Sequence, residues 1–388
     1  MQIPSDYVEG YEKARLHDPE LAATYISHLF VGDTDADLVV EDMASLSQED
    51  SADFIKAAME QNETVMHDAP ESLRTFFARL DTPPDWFDPA ATLPGSRLFY
   101  RFPYVFIASL VGAGLIEGFS SGIAKSFLYT GRLFDGNQGV RRLKQNNRHQ
   151  VELFLPGGLE RQGEGWKLTV RLRLVHAQIR RLISAQDDWD SDTWGIPISA
   201  AHLALANTVF SARVLRYIQR LLMLKPSAEE REGFMYIWRY QGYLMGIPEV
   251  LVAHTEEQAN HLFEIGMMCE PPPPMESIAM ANSLINAAPT LVNMVGPDSE
   301  KLVRKVYRLS RALIGDELAD QLQYPKLNTW GSLFFFALEQ RGKALYNRLF
   351  RGNIPDAFEL MTQISNYERR GISYRLPDSA HSELSKKW

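Results

Sequence analysis

The feature that most constrains this chain is the segment Trp166–Ala185, because its apolar residues recur with the period of an α-helix. They are spaced three and four residues apart, at Leu168, Leu172, Val175, Ile179 and Leu182. This spacing places an apolar stripe along one side of a helix. His176 lies at the border of that stripe. The segment therefore predicts a helix that packs one side on the core and carries a histidine at the edge of the contact.

Two arginines accompany this histidine. Arg173 lies three residues before His176 and Arg180 four residues after it, so the three side chains share a helical face. An imidazole that faces a cavity can bind a haem iron, while guanidinium groups can pair with the haem propionates. A hydrogen-bonded core histidine between two solvated arginines has the same pattern. On these residues alone, both interpretations stay open.

Composition bounds the class of protein. The chain has 388 residues, 45% hydrophobic and 23% charged, which is normal for a globular protein with a sizeable core. Lys and Arg number 40 and Asp and Glu number 49, a net charge of −9, which argues against a non-specific nucleic-acid binder. The single cysteine, Cys269, excludes an internal disulfide and a cysteine-cluster metal site.

The sequence offers no targeting or membrane-spanning segment. The N-terminus lacks a basic region followed by an apolar core, so no secretory signal is predicted. The longest nearly uncharged apolar run, Phe102–Ile116, is shorter than the roughly 20 residues that cross a bilayer. We interpret it as a buried helix, and we expect a cytoplasmic protein.

The rest of the chain also predicts helices. There is no alternating strand pattern, Gly-rich phosphate loop or fixed-period repeat. Further helices are expected at 200–224, 229–245, 250–268, 278–295, 301–314 and 330–350. The predicted fold is all-α. We divide it into an N-terminal helical extension (1–80) packed on the core, a large helical domain (81–370) and a loose polar tail (371–388).

Three other types of site are considered. His254, Glu257 and His261 share a helical face and could bind a non-haem metal, although neither an HExxH nor a paired ExxH motif is present. Cys269 lies beside a proline-rich loop with no local partner that would activate it, and no GxSxG motif occurs. A plain helical module that binds an apolar ligand or partner also fits the composition.

Several segments together resemble one family. They are Thr130–Leu133 (TGRL), Arg142, Trp166–Arg180 with its RxxH core, Trp194–Ser199 (WGIPIS) and Trp238–Pro248 (WRYQGYLMGIP). In this order they are similar to the catalytic domain of the latex clearing protein and MpaB-type oxygenases. The resemblance covers roughly residues 85–270.

The resemblance implies an all-helical, globin-like core around b-type haem. His176 matches the family's axial iron ligand, and Arg173 and Arg180 match the arginines that flank it. Arg142 matches the arginine on the far side of the haem, where Gln145 and Asn146 would supply further hydrogen bonds.

This chain departs from the family at three positions. Asn146 stands where the family often has threonine, and Gln145 stands where rubber-cleaving members have lysine. The carboxylate that acts as a base in those members falls near Ser126, and Glu117 is the nearest acid, to which we do not transfer the role. Since an amide does not act as a general base at neutral pH, cleavage of polyisoprene by that route is not expected.

The resulting expectation is a haem b-dependent oxygenase that uses dioxygen or peroxide. Its substrate would be a small isoprenoid, terpenoid or fatty-acyl chain, which it would cleave at a C=C bond or hydroxylate. The alternative is a helical protein that binds haem or an apolar ligand without turnover. The sequence leaves the oligomeric state open.

Overall fold

The computed structural model describes residues 1–129, 136–292, 294–350 and 374–378, and in these ranges every regular element is helical. For residues 128, 136–143, 344, 345 and 347–350 it describes the backbone only. The all-α prediction is confirmed. The division into an extension, a domain and a tail stays a prediction.

Short helices make up the first third of the chain. They are α1 (Val8–Ala14), α2 (Pro19–Ser27), α3 (Thr34–Met43), α4 (Gln48–Met59), α5 (Glu63–Met66), α6 (Glu71–Asp81), α7 (Leu93–Arg101), α8 (Pro103–Ser109), α9 (Leu115–Phe119) and α10 (Ile123–Tyr129). A π-helical turn, Leu110–Gly114, joins α8 to α9.

Longer helices follow. They are α11 (Gly136–Phe154), α12 (Glu164–Ser184), α13 (Ser191–Trp194), α14 (Ala200–Thr208), α15 (Val214–Leu222), α16 (Ala228–Leu244), α17 (Glu256–Cys269), α18 (Met275–Asn286), α19 (Ala288–Leu291), α20 (Pro297–Ile314), α21 (Asp316–Gln321) and α22 (Ser332–Phe350). A second π-helical turn, Val209–Arg213, joins α14 to α15 and lies against the first.

Helix α12 lies at the centre of the molecule. Thr169, Val170, Leu174 and Ala177 have no exposed surface, and their side chains point in different directions around the helix axis. The prediction of a single apolar stripe was therefore wrong. Polar residues on the other sides are buried as well, because neighbouring helices surround α12 and supply partners for them.

Glycines allow a close helix crossing between α7 and α16. A Cβ at Gly95 of α7 would lie 2.5 Å from the backbone carbon of Gly233 on α16, so the two backbones touch. The connector before α7 is fixed by aromatic packing. Phe87 stacks on Tyr240 with ring centroids 3.5 Å apart, and Trp86 lies under the Arg239 guanidinium.

The two ends of the chain both reach the central helix. Near the N-terminus, α3 packs along α12. Near the C-terminus, the carbonyl of Pro377 accepts a hydrogen bond of 2.7 Å from Gln178, and Leu376 packs with Val175 and Ile179. The prediction of a loose tail was therefore wrong for residues 374–378, because this stretch carries apolar side chains that cover α12.

The run Phe102–Ile116 is buried, as predicted, within α8, the first π-helical turn and α9. In the described ranges no single helix combines the length and the apolar composition needed to cross a bilayer. The pair Pro89–Arg101 and Pro103–Phe119 meets those criteria only when its two arms, bent by 90°, are counted together.

Candidate functional site

Helices α11 and α12 form an antiparallel hairpin whose register is fixed near its closed end. A Cβ at Gly165 would lie 2.7 Å from the carbonyl oxygen of Glu152, so the helices touch there. One turn further, Nε2 of His149 lies 2.8 Å from the hydroxyl of Thr169. Continuing this register for two turns brings position 142 level with His176.

Burial changes along the hairpin. At the closed end Thr169 and His149 are only 0% and 8% exposed. Toward the open end the facing residues become partly exposed, namely Leu172 and His176 on α12 and Gln145 and Asn146 on α11. Close-packed helices would bury these positions as they bury Thr169. The pattern indicates a cleft between the two helices at the level of His176.

One ring nitrogen of His176 has no hydrogen-bonding partner among the described residues. Its Nδ1 is enclosed, and no described group donates to it or accepts from it. The residue as a whole remains partly exposed, so its accessible edge lies away from Nδ1. Burial, with smaller contributions from the nearby Arg180 and His149, lowers the pKa of His176 to about 3. The ring is therefore neutral at pH 7 and presents a lone pair, which a metal ligand requires.

His149 was not singled out by the sequence analysis. The Thr169 hydroxyl donates its proton to the carbonyl of Gly165 at 2.7 Å, so it accepts from Nε2–H of His149. This assignment leaves Nδ1 of His149 as an acceptor. Burial lowers the pKa of His149 to about 4. Its spacing from Gln145 and Asn146, four and three residues, could have revealed that it shares their helical face.

The three residues expected on the far side of the cofactor all belong to α11. Gln145 and Asn146 are partly exposed at the open end of the hairpin, opposite α12. Arg142 lies on the same helix, and its side chain is outside the described residues. The TGRL segment Thr130–Leu133 is also outside the described residues. Gln145 and Asn146 thus lie on the helix that faces His176.

Arg173 makes a different contact from the one that the sequence predicted. Its guanidinium forms a buried, two-pronged ion pair with Asp33, with Nε–Oδ2 and Nη2–Oδ1 distances of 2.5 and 2.8 Å. Gly246, at φ +74°, leaves room for this pair, because a Cβ there would lie 2.6 Å from the guanidinium. The donors expected to bind a haem propionate are therefore already used by α3, and we correct that interpretation.

Arg180 repeats this arrangement two turns further on. It donates to both carboxylate oxygens of Asp37, at 2.8 to 3.1 Å, and to the carbonyl of Ile198 at 2.6 Å. Arg173 and Arg180 therefore attach α12 to α3, and neither is a solvated arginine. The acidic stretch 33–50 supplies both partners, and the Asp33 side chain also caps α3.

The carboxylate nearest to the expected base position is already paired. Glu117 is buried and accepts from Arg213 at 2.6 and 2.9 Å. Arg213 ends the second π-helical turn and lies over the ring of Phe263. Ser126 is buried on α10. Glu117 is therefore held by its own cation, which agrees with the decision not to give it the role of a base.

The non-haem metal site is contradicted. Within the described ranges no three His, Cys, Asp or Glu side chains are grouped so that they could hold a metal ion. His254 and His261 are exposed, and each pairs with a different carboxylate at 2.8 Å, Glu249 and Asp18 respectively. His254 precedes α17, so the common helical face predicted for the two histidines is not formed.

Cys269 is buried, and burial together with the Glu270 carboxylate raises the pKa of its thiol to about 12. The thiol is protonated at neutral pH, so it is a poor nucleophile. This agrees with the absence of an activating partner in the sequence.

A second buried polar cluster lies at the start of α10, and the sequence analysis missed it. The Glu270 carboxylate accepts from the Tyr25 hydroxyl and from the backbone N–H of Gly122, both at 2.6 Å. His202 lies 3.4 Å from the same carboxylate and 3.1 Å from the hydroxyl of Tyr7. No sequence spacing signals this cluster, because its members come from five separate segments.

The donor set of the cleft suits one kind of cofactor. His176 offers a single neutral imidazole, too few protein ligands for a bare metal ion. A haem iron needs only one or two axial ligands, because the porphyrin supplies the other four. A neutral imidazole whose accessible edge lies on a partly open cleft fits that requirement.

Comparison with known proteins gives two matches. The family model described as "ER-bound oxygenase mpaB/B'/Rubber oxygenase, catalytic domain" matches residues 96–338, more than half of the chain. The solved structure of latex clearing protein in the closed state is similar with a TM-score of 0.62. The sequences are 17% identical, over 87% of this chain and 89% of that one, so this likeness shows the fold. A comparison with curated proteins finds no match.

The family model spans the hairpin of α11 and α12, with His176, Gln145 and Asn146, as well as α16 and its WRYQGYLMGIP motif. Residues 1–95, which include α3 and its two ion pairs with α12, lie outside the match. The chain belongs to the mpaB and rubber oxygenase catalytic-domain family.

Proposed function

We propose that this protein is a haem b-dependent oxygenase that acts on a small apolar substrate. An isoprenoid, terpenoid or fatty-acyl chain fits best, with oxidative C=C cleavage or hydroxylation as the reaction. The observation that carries the proposal is the neutral imidazole of His176, which has an unpartnered buried nitrogen and an accessible edge at the cleft. Membership of the oxygenase family supports it.

In this proposal the imidazole of His176 would hold the haem iron. When bound, the haem supplies the activation of dioxygen or peroxide. Burial keeps His176 neutral, so no proton has to be displaced before it ligates iron. For Arg173 and Arg180 we propose a positioning role: their pairs with Asp33 and Asp37 fix the rotation of α12 and thus the direction of His176.

The facing helix supplies polar groups that do not titrate. Gln145 and Asn146 donate and accept hydrogen bonds through their amides, and Arg142, level with His176 in the hairpin register, is a further donor. These groups orient small polar ligands in the cleft. None of them removes a proton at neutral pH. The proposed reaction is therefore one in which the protein orients reactants and excludes water without a dedicated carboxylate base.

The first test is the visible absorption spectrum of purified, haem-supplemented protein beside that of His176→Ala. We expect a strong Soret band in the wild type that is lost or shifted in the variant. His254→Ala, which changes an exposed histidine, is the matched control and should keep the wild-type spectrum. A wild-type protein without a Soret band after haem is supplied would overturn the proposal.

A second candidate is a haem- or apolar-ligand-binding protein without turnover. The observation that favours it is the pairing of Glu117 with Arg213, which leaves no free carboxylate at the expected base position among the described residues. Oxygen consumption by the haem-loaded protein separates the two candidates. Uptake that depends on an added isoprenoid or fatty acid supports the oxygenase. Its absence across a broad panel, with haem bound, supports the binding protein.

A further inference from the structure

An exposed apolar surface lies far from α12, at the C-terminal end of the helical body. We call it the α22 surface and define it by Trp330, Phe334, Phe335, Leu338 and Tyr346. These side chains are 84%, 54%, 60%, 58% and 54% exposed. Contiguous exposed apolar patches of this kind are uncommon in proteins that only meet water, and they mark sites of interaction.

The exposure follows from the way α22 is held. Its inner side carries the buried Ala337 and packs on α15 and α20. Arg341 reaches across to donate to the carbonyl of Met223 at 2.8 Å, at the end of α15. Phe334 and Leu338 are one turn apart and each is more than half exposed, so together they present apolar surface to the outside. The helix is therefore firmly attached by one side and presents an apolar side outward.

The surface continues into a groove. An open space of about 660 Å³ lies between the ends of α15 and α20 and the start of α22, lined in part by Met223, Leu333 and Phe334. Arg220 lines it as well, and its guanidinium is fixed by the carbonyls of Leu313 and Ala312 at 2.6 and 3.0 Å. The groove thus joins apolar walls to a positive charge, a combination that suits an amphipathic anion.

Charge distinguishes this region from the rest of the chain. Residues 326–350 contain four basic residues (Lys326, Arg341, Lys343, Arg348) and one acidic residue (Glu339), a net charge of 4 − 1 = +3. The whole chain carries −9. Glu339 is itself paired with Lys305 and Lys343, so it adds no free negative charge. An aromatic and basic surface on an acidic protein is complementary to an apolar partner of negative charge.

We propose that the α22 surface docks on an anionic lipid bilayer. Trp and Tyr prefer the interface between headgroups and acyl chains, which fits Trp330 and Tyr346 at the two ends of the surface. Phe334 and Leu338 enter the upper acyl region, and Lys326 and Lys343 contact the lipid phosphates. A second copy of this chain is disfavoured as the occupant, because pairing the surface with itself would place the same positive charges together. The proposal does not depend on haem.

The test measures binding of the full chain to vesicles by co-sedimentation. Vesicles of phosphatidylcholine with 30% phosphatidylserine are compared with phosphatidylcholine alone. We expect binding to the anionic vesicles that weakens as salt is added, since phosphate contacts are screened. Phe334→Ser combined with Leu338→Ser should weaken it more than tenfold. Leu16→Ser combined with Leu38→Ser, which removes two equally exposed apolar side chains elsewhere, is the matched control and should bind as the wild type.

A second arm tests the charges. Lys326→Gln and Lys343→Gln should each weaken binding about fivefold, the effect of removing one basic residue at a lipid surface. The blue shift of tryptophan fluorescence on binding should shrink in Trp330→Phe. Failure to bind either vesicle would overturn the proposal, as would binding that the Phe334 and Leu338 substitutions leave unchanged. A stable dimer that the same substitutions dissociate would assign the surface to a second copy instead.

Discussion

Two histidines in this protein, the buried His202 and the partly exposed His176, have opposite surroundings. His202 belongs to the cluster around Glu270. The Glu270 carboxylate accepts hydrogen bonds from the Tyr25 hydroxyl and the N–H of Gly122, and the His202 imidazole lies beside it. His176 lies at the cleft between α11 and α12 with an enclosed nitrogen that has no partner. Burying a polar group without a hydrogen bond is unfavourable, so the first arrangement stabilises the fold by itself and the second does not.

The difference separates a structural role from a ligand-binding role. Burial alone would raise the pKa of Glu270, but His202 and the hydrogen bonds from Tyr25 and Gly122 outweigh it and lower that pKa. The charge is thus accommodated by the protein. Around His176 nothing compensates, and burial drives the ring to its neutral form. A neutral imidazole with an unsatisfied nitrogen is typical of a position that binds a metal.

The largest expected effect comes from breaking the satisfied cluster. Glu270→Ala leaves His202, both tyrosine hydroxyls and an N–H without their acceptor, so we expect a loss of about 3–5 kcal/mol in the free energy of unfolding. Glu270→Gln keeps an acceptor oxygen and should lose less. Urea unfolding at pH 7 measures both. A loss below about 1 kcal/mol for Glu270→Ala would show that the cluster does not stabilise the fold.

A smaller effect is expected from acid. His149 and His176 have folded-state pKa values of about 4 and about 3, below the value of about 6.5 for an unfolded histidine. Between these values the unfolded chain binds more protons, so stability falls as the pH drops below about 6.5. pH 5 lies about 1.5 pH units below 6.5. At this pH the free energy of unfolding is therefore lower by about 2 kcal/mol for each histidine.

Urea unfolding of the haem-free protein at pH 7 and pH 5 checks this expectation. His149→Gln, which retains a donor for Thr169, and His176→Leu should each reduce the loss between the two pH values. His17→Gln changes an exposed histidine and should leave the loss unchanged. Equal losses of stability in the wild type and the three variants would show that neither His149 nor His176 controls the loss of stability in acid.

The smallest effect is expected at pH 7 for His176→Leu. It replaces a buried, unsatisfied ring by an apolar side chain, so the haem-free protein should change in stability by less than about 1 kcal/mol. The same variant should fail to bind haem. A large destabilisation without haem would mean that His176 has a structural role like that of His202, and the contrast between the two histidines would disappear.

Residue spacing predicted a helix well where the helix and its capping residues lie within one segment of the sequence. The helix 229–245 is found as Ala228–Leu244, and its start is a capping box formed by Ser227 and Glu230. The continuous helix expected at 200–224 was also found, with a π-helical turn that periodicity did not reveal. A π-helical turn depends on how neighbouring elements pack, so single-sequence spacing does not contain it.

The candidate site was only partly predictable. Gln145 and Asn146 were identified through the family resemblance, and the spacing of His149 from them could have identified it as well. The partners of Arg173 and Arg180 could not, because Asp33 and Asp37 lie 140 and 143 residues away in the sequence. Two arginines that share a face with a histidine look like cofactor ligands until the helix packed against them is known.

By itself, the sequence determined the helical class, the position of the central helix and the resemblance that singles out His176. These depend on spacing and on motifs that each lie within one segment. The tertiary structure decided which buried polar groups are satisfied. That outcome depends on which distant carboxylate, hydroxyl or N–H packing brings within about 3 Å, and a hydrogen bond or ion pair exists only at that distance. Burial and missing partners thus distinguish His176 from His202, and only the folded chain contains them.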